Sequence, residues 1–240
     1  MENLQGALIG RLKNVRFERV KQWRAVSSDP ERDDNKERRD EHFASLDKYN
    51  LTAGIPARYR RWRLWDFKPD TASDAVAFLE RGGAATLFLH GVVGTGKTCL
   101  ASATLSAWRW SGGACNLDCP GDCGIGKREV GLFLPAYEAA ARLRNLDRCE
   151  AAMNEWAGAR LLVLDDIGAN RATPHVTEQL LFLLQRRYDE CAKTIVTSNL
   201  DLSGIEGTLG ERAASRLQEG MLIELTGGDK RAGKKKAGGA

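Results

Sequence analysis

TLFLHGVVGTGKTCL, residues 86–100, contains the pattern that decides the fold class. The apolar residues 86–90 predict a short strand, Gly-x4-Gly-Lys-Thr follows at 91–98, and residues 97–110 predict a helix. Glycines accept positive φ and turn backbone N–H groups inward around a phosphate, and the helix adds the positive end of its dipole. The predicted nucleotide-binding residues are Gly91, Val92, Val93, Gly94, Thr95, Gly96, Lys97, Thr98 and Cys99.

Within this loop, two side chains have specific predicted roles. Lys97 is expected to reach the β- and γ-phosphates of ATP as a point charge. The Thr98 hydroxyl is expected to coordinate Mg²⁺. The predicted cofactors are therefore ATP and Mg²⁺.

Helical and strand patterns alternate along the rest of the chain. Helical patterns occupy 72–82, 137–159 and 174–191, and apolar strand patterns occupy 129–136, 160–168 and 193–199. Thr173 and Pro174 suit the N-cap and first position of a helix. Strands that are apolar almost throughout indicate a parallel sheet covered on both faces. The predicted fold class is a three-layer α/β P-loop NTPase with a parallel sheet.

Polar side chains end two of these strands. Asp165 and Asp166 follow the apolar run LLVL, at the edge where open α/β sheets bind ligands. Asp165 is expected to hold Mg²⁺, and Asp166 to orient or deprotonate the attacking water. Asn199 ends the next strand and is expected to contact the γ-phosphate or the water. Two carboxylates can instead form a cap or turn, and asparagine is also an ordinary turn residue.

Two arginines lie four residues apart in ERAASRL at 211–217, on one face of a predicted helix. Arg212 and Arg216 are candidates for an arginine finger, which stabilises the charge on a transferring phosphoryl group and often comes from a neighbouring subunit. Without further context, two arginines at this spacing usually mark a solvated face.

The order of these motifs resembles that of the AAA+ helicase loaders represented by DnaC and of their relative IstB, the ATPase helper of a transposase. AGIPARYR at 53–60, EQLLFLLQRRYDE at 178–190 and GERAASRLQEG at 210–220 are further similar segments. The resemblance implies an ATPase in which Asp166 takes a position that is often glutamate and Asn199 is the first sensor. It assigns Arg216 as the finger, Arg212 as a secondary candidate and Arg231 as the late sensor arginine.

For function, the resemblance implies a replication factor: a helicase loader that forms homo-oligomers on single-stranded DNA and binds a replicative helicase. The alternative is a transposition helper that coats duplex DNA and recruits a transposase. A P-loop kinase lacks support, since no arginine-rich lid lies between the second and third motifs. An ATP-bound scaffold with negligible turnover stays open, because Asp166 is shorter than glutamate.

Three regions are predicted along the chain. Residues 1–45 form an N-terminal extension with an amphipathic helix, which either docks on a partner or folds back on the chain. Residues 46–228 form the AAA+ ATPase domain, and residues 229–240 a basic tail. Within the domain, arginines alternate with aromatic residues at 58–67, a pattern that fits either a nucleic-acid surface or packing on the core.

The composition bears on membrane contact, cellular location and the state of the cysteines. The 240 residues carry a net charge of only +4, and no apolar run approaches the roughly 20 residues that span a bilayer, so we expect no membrane contact and a cytoplasmic location. The six cysteines do not indicate a disulfide framework. Cys115, Cys119 and Cys123 form Cys-x3-Cys-x3-Cys, either three ligands of a zinc site or a reduced loop.

Overall fold

The fold is built on one parallel sheet. The computed structural model describes residue 44 and residues 46–80, 86–108, 131–168 and 173–227. In these ranges five strands form a sheet in the order β2-β3-β4-β1-β5, and each neighbouring pair is parallel. The strands are β1 (Thr86–His90), β2 (Leu132–Pro135), β3 (Leu161–Ile167), β4 (Lys193–Ser198) and β5 (Met221–Glu224).

Helices connect these strands. They are α1 (46–52), α2 (Pro69–Glu80), α3 (Lys97–Trp108), α4 (Ala136–Leu143), α5 (Leu146–Ala157), α6 (Pro174–Asp189), α7 (Leu202–Leu209) and α8 (Glu211–Gln218), with a 3-10 turn at Leu64–Asp66. The cap predicted for α6 is confirmed, since Thr173 Oγ1 accepts from the Val176 N–H at 3.4 Å. No helix in the described part of the chain is long and apolar enough to cross a membrane.

The helical prediction for 137–159 needs one correction. The segment forms two helices, α4 and α5, separated at Arg144 and Asn145. Asn145 takes an extended conformation (φ −92°, ψ 100°) and serves as the N-cap of α5. The interruption lets Leu143 of α4 and Trp156 of α5 both point into the same core, which a single straight helix of this length would prevent.

Successive strand residues point to opposite faces of the sheet, and each face is covered by its own helices. Leu87 and Leu89 of β1 pack with α2, α3 and the chain before β1, whereas Phe88 packs with α4 to α8. In β3, Val163 packs on the same face as Leu87 and Leu89, and Leu164 packs on the same face as Phe88. All five side chains are fully buried. The three-layer arrangement and the parallel sheet predicted from the sequence are confirmed.

A buried arginine connects α5, α6 and β4 on the face of the sheet that α4 to α8 cover. Arg187 of α6 is 0% exposed, and burial lowers its pKa to about 10. Its guanidinium donates to the Thr194 hydroxyl (2.9 Å) and to the Lys193 carbonyl at the start of β4. The same group donates to the carbonyls that end α5, those of Trp156 (2.8 Å), Ala157 (2.9 Å) and Ala159 (2.7 Å). No acidic side chain forms an ion pair with it among the described residues.

Several predictions concern residues outside the described ranges. The N-terminal extension falls there apart from Ala44, and so do the cysteine segment at 115–123, Arg231 and the tail at 229–240. Those predictions remain as stated.

Candidate active site

The loop between β1 and α3 has the backbone that a phosphate-binding loop requires. Gly91, Gly94 and Gly96 have φ of 135°, 88° and 102°, values that side chains with a Cβ rarely adopt. Gly91 also has no room for one, because an added Cβ would lie 2.4 Å from the carbonyl oxygen of Leu225, next to β5. The first glycine of the motif therefore allows the loop to pass close to the end of β5, the neighbour of β1 in the sheet.

Lys97 extends back across this loop. Its ammonium donates to the carbonyls of Gly91 and Val92, each at 2.8 Å, and the Thr95 hydroxyl donates to the Val92 carbonyl at 2.9 Å. Lys97 is only 6% exposed. The cation is thus held over the loop at the start of α3, where the N–H groups of the first helical turn also supply positive potential.

The acidic pair lies at the carboxyl end of β3. Asp165 is 8% exposed, and its Oδ1 accepts from the Thr197 hydroxyl of β4 at 2.7 Å. Asp166 is exposed, has φ of 63°, and accepts from Asn199 Nδ2 at 3.0 Å. The structure therefore brings Asp165, Asp166 and Asn199 together, as predicted.

Burial, followed by the charge of Asp166, raises the pKa of Asp165. Hydrogen bonds from Thr197 and Thr98 and the charge of Lys97 act in the opposite direction. The interactions with Thr98 and Lys97 place this carboxyl beside the phosphate loop. A carboxylate and a hydroxyl at one point are hard oxygen donors of the kind that Mg²⁺ takes from proteins when phosphates supply further ligands. The residues present therefore fit Mg²⁺.

A cavity of about 1000 Å³ opens over these groups. Nine of its lining residues were predicted from the sequence: Val93, Gly94, Gly96, Lys97, Thr98, Cys99, Asp165, Asp166 and Asn199. Gly91, Val92 and Thr95 do not line the cavity and instead shape the loop through the contacts described above. In the described ranges, this cavity included, no group of three or more His, Cys, Asp or Glu side chains could hold a metal ion.

A further part of the cavity lining comes from residues 56–62, a surface that we call the aromatic wall. Tyr59 and Trp62 line the cavity and are partly buried against the core below it. Arg58 and Arg61 are exposed, and each guanidinium lies near the ring of the next residue, at 5.7 and 6.0 Å from its centroid. The aromatic residues of this segment pack on the core, as the packing interpretation expects, and the nucleic-acid interpretation stays a prediction. The sequence did not predict that the segment lines the cavity.

Buried Asn50 connects the aromatic wall to the rest of the site. Its Nδ2 donates to the Arg60 carbonyl at 3.3 Å, and its Oδ1 accepts from the Ser106 hydroxyl of α3 at 2.8 Å. The Asn50 carbonyl accepts from the Ile55 N–H at 2.9 Å. One fully buried side chain thus joins α1, the wall and the helix that begins at Lys97.

The two candidate finger arginines lie elsewhere, on α8. Arg212 is exposed, and Arg216 is partly buried, with its guanidinium 5.3 Å from the Tyr188 ring centroid and its Nη1 donating to the Arg212 carbonyl at 2.9 Å. Tyr188 in turn donates to Glu219. Neither arginine lines the cavity, so the chain does not bring them to its own phosphate loop.

The fold is that of the AAA+ P-loop proteins. Its parallel sheet has the order β2-β3-β4-β1-β5, and a glycine-rich loop, two acids and an asparagine lie at one edge of that sheet.

Solved structures with the same fold include the DnaC helicase loader, DnaI and the replication initiator DnaA. The DnaC helicase loader matches with a TM-score of 0.60 and 22% identity over 71% of this chain and 100% of that one. DnaI matches with a TM-score of 0.56 and 24% identity over 74% and 94%. DnaA bound to AMPPCP and single-stranded DNA matches with a TM-score of 0.54 and 20% identity over 72% of this chain and 51% of that one.

These similarities confirm the resemblance to the helicase-loader group as a likeness of fold. The chain spans about half the length of the DnaA structure and the full length of the DnaC structure. No protein-family model matches the sequence, and no curated protein matches it.

Proposed function

We propose that the chain is a Mg²⁺-dependent ATPase of DNA replication, a helicase loader that assembles with copies of itself on single-stranded DNA. The observation that supports this best is the convergence of Lys97, Asp165, Asp166 and Asn199 on one cavity. The fold of a helicase loader around that cavity supports the biological role.

In this proposal each side chain has one task. The loop N–H groups and Lys97 bind the triphosphate, and Asn199 holds the carboxylate of Asp166 toward the cavity. Water oxygen attacks the γ-phosphorus, its proton passes to Asp166, and the bond to the β-phosphate oxygen breaks to release ADP. Thr98 and Asp165 would hold Mg²⁺, which supplies positive charge to the phosphates when it is bound.

The aromatic wall would take the base of the nucleotide. Tyr59 and Trp62 line the same cavity as the phosphate loop, and base stacking on such rings contributes about 1–3 kcal/mol. Trp62 also packs against Phe67 (5.9 Å between centroids), which holds its ring in place.

We infer that Arg216 acts on the nucleotide of a neighbouring copy. In its own chain the guanidinium rests on Tyr188, away from the cavity, so only a second molecule can bring it to a γ-phosphate. Arg212, exposed one turn earlier, is the secondary candidate. Mixing Arg216→Ala with Asp166→Asn tests this, because each inactive chain retains what the other lacks. Turnover by the mixture supports shared sites, and a mixture as inactive as its components contradicts them.

ATP binding and turnover test the enzymatic part. The chain should bind an ATP analogue with Mg²⁺ and hydrolyse ATP faster with single-stranded DNA, and Lys97→Ala should abolish both. A wild-type chain that binds no nucleotide, or a Lys97→Ala variant that behaves as wild type, would refute the ATPase proposal.

DNA and partner choice need separate measurements. The proposal expects a higher mass in solution with ATP analogue and single-stranded DNA than with either alone. It also expects full-length protein to capture a hexameric replicative helicase, and a chain lacking residues 1–45 to lose that capture. Preference for duplex DNA with capture of a transposase would favour the transposition helper instead.

A further inference from the structure

Thr197 occupies a position between the two acids that the sequence did not single out. It lies on β4, is 1% exposed, and its hydroxyl makes two hydrogen bonds across to β3. The oxygen accepts from the backbone N–H of Asp166 at 2.8 Å, and Thr197 Oγ1 lies 2.7 Å from Asp165 Oδ1. An amide N–H can only donate, so the hydroxyl must accept there and give its own proton to Asp165.

The backbone around Asp166 explains why this N–H needs a side-chain acceptor. Asp166 has φ of 63°, a left-handed conformation that is unfavourable for a residue with a Cβ. The register between β3 and β4 shifts between Leu164 and Ile167, so the regular ladder is interrupted at the two acids. The Thr197 hydroxyl supplies the acceptor that a regular strand would provide.

The same irregularity decides where the Asp166 side chain goes. In a regular strand Asp165 and Asp166 would point to opposite faces of the sheet. Because Asp166 itself is left-handed, both acids line the one cavity, and Asp166 Oδ1 accepts from Asn199 Nδ2 at 3.0 Å. Loss of the Thr197 bond would release the strained residue and one oxygen of Asp165 together.

We propose that Thr197 is a positioning residue that holds the metal-binding carboxylate and the catalytic carboxylate in register through one hydroxyl. It acts through Asp165 and Asp166. The inference rests on the proposed ATPase function and adds to it a residue on which the geometry of both acids depends.

The test compares variants that differ by single atoms. Thr197→Val replaces the hydroxyl by a methyl of similar volume, and Thr197→Ser keeps the hydroxyl and removes the methyl. The matched control is Thr104→Val in α3, where a fully buried threonine donates only to the Leu100 carbonyl of its own helix at 2.8 Å. ATP turnover is measured for each at saturating Mg²⁺, with melting curves as a check of folding.

A displacement of about 1 Å at reacting groups can reduce a rate about 100-fold. We expect kcat of Thr197→Val to fall about 100-fold with the KM for ATP within about threefold of wild type, because the phosphate loop is untouched. Thr197→Ser and Thr104→Val should keep kcat within about threefold of wild type, because neither loses the bridging hydroxyl.

Three results would overturn the inference: a wild-type kcat for Thr197→Val, a Thr197→Ser variant as slow as Thr197→Val, or an equal loss in Thr104→Val. If Thr197→Val does not fold, Thr197→Ala is compared with Thr197→Ser, and equal kcat values overturn it in the same way. If wild type hydrolyses ATP and Thr197→Val has the same kcat, this inference is refuted and the proposed ATPase function stands. A wild-type chain without turnover refutes the proposed function and the inference with it.

Discussion

Replacing Arg187 by methionine should destabilise the protein strongly, because the arginine side chain is fully buried and hydrogen-bonded. From its place on α6, the guanidinium donates to carbonyls at the end of α5 and to the start of β4. Methionine is also unbranched and of similar volume, but it is shorter and has no donors. The variant therefore keeps most of the packing and removes the hydrogen bonds.

The expected loss follows from the acceptors left behind. Trp156 O keeps a second donor, the Ala159 N–H at 3.4 Å, but the carbonyls of Ala157 and Ala159 lose a charged donor in a buried place. An unsatisfied buried polar group costs about 1–3 kcal/mol, and removing one partner of a buried charged network costs about 3–5 kcal/mol. Burial lowers the pKa of Arg187 to about 10, so the cation itself is held at a cost that the variant removes. We therefore expect Arg187→Met to lower the free energy of unfolding by about 3 kcal/mol, the lower end of the range for a broken buried charged network.

Urea unfolding followed by circular dichroism measures this loss, and the neighbouring arginine provides the control. Arg186 pairs with Glu190 at 3.0 Å and donates to Asn154 at 2.8 Å on the exposed side of α6. Exposed pairs contribute about 0–1 kcal/mol, so Arg186→Met should change little. If Arg187→Met lowers the free energy of unfolding by no more than Arg186→Met, with equal m-values, the account of this buried network is wrong.

Three further perturbations test the site. Burial raises the pKa of Asp165, so the native state binds more protons than the unfolded chain, and stability from this group falls as pH rises from the ordinary aspartate value through the raised one. Asp165→Asn should therefore melt no lower than wild type at pH 7 while losing ATP turnover, and a clearly lower melting temperature would contradict this. Gly91→Ala should disrupt the loop and nucleotide binding, since its Cβ would meet Leu225 O at 2.4 Å, whereas Gly207→Ala in α7 meets nothing within 4 Å and should stabilise by up to about 1 kcal/mol in thermal melts. Trp62→Leu should weaken ATP binding about tenfold, roughly 1.4 kcal/mol, in a titration; unchanged affinity would place the base elsewhere.

Local pattern was enough to predict the centre of this fold. The strand–loop–helix unit at 86–108 is specified by apolar residues, glycines and a lysine within one short segment, and so is the acidic end of β3. The predictions became less accurate where local pattern is ambiguous. The break at Arg144 and Asn145 contains neither glycine nor proline that would have indicated it. The strand β5 was not predicted, because it has only four residues, of which Ile223 alone is buried.

The features that the sequence did not reveal depend on contacts between distant segments. The segment just before the aromatic wall is attached to β2, since the Ala53 carbonyl accepts from the Phe133 N–H at 2.7 Å, a bond between residues far apart in the chain. Thr197 looks like any β-branched strand residue until the register of β3 and β4 is known. The sequence is enough to predict the chemical role of each motif. How the motifs lie relative to one another depends on how the strands pair in the sheet.

The buried amide of Asn50 restricts how the aromatic wall can move. Because this one side chain is hydrogen-bonded both to the wall and to the helix that follows the phosphate loop, a movement of the wall relative to that helix breaks at least one of the two bonds. If the base binds on the wall and the phosphates in the loop, as proposed, the fold sets the distance between these two contacts. We then expect ligands whose base and phosphates are separated by a different distance to bind more weakly.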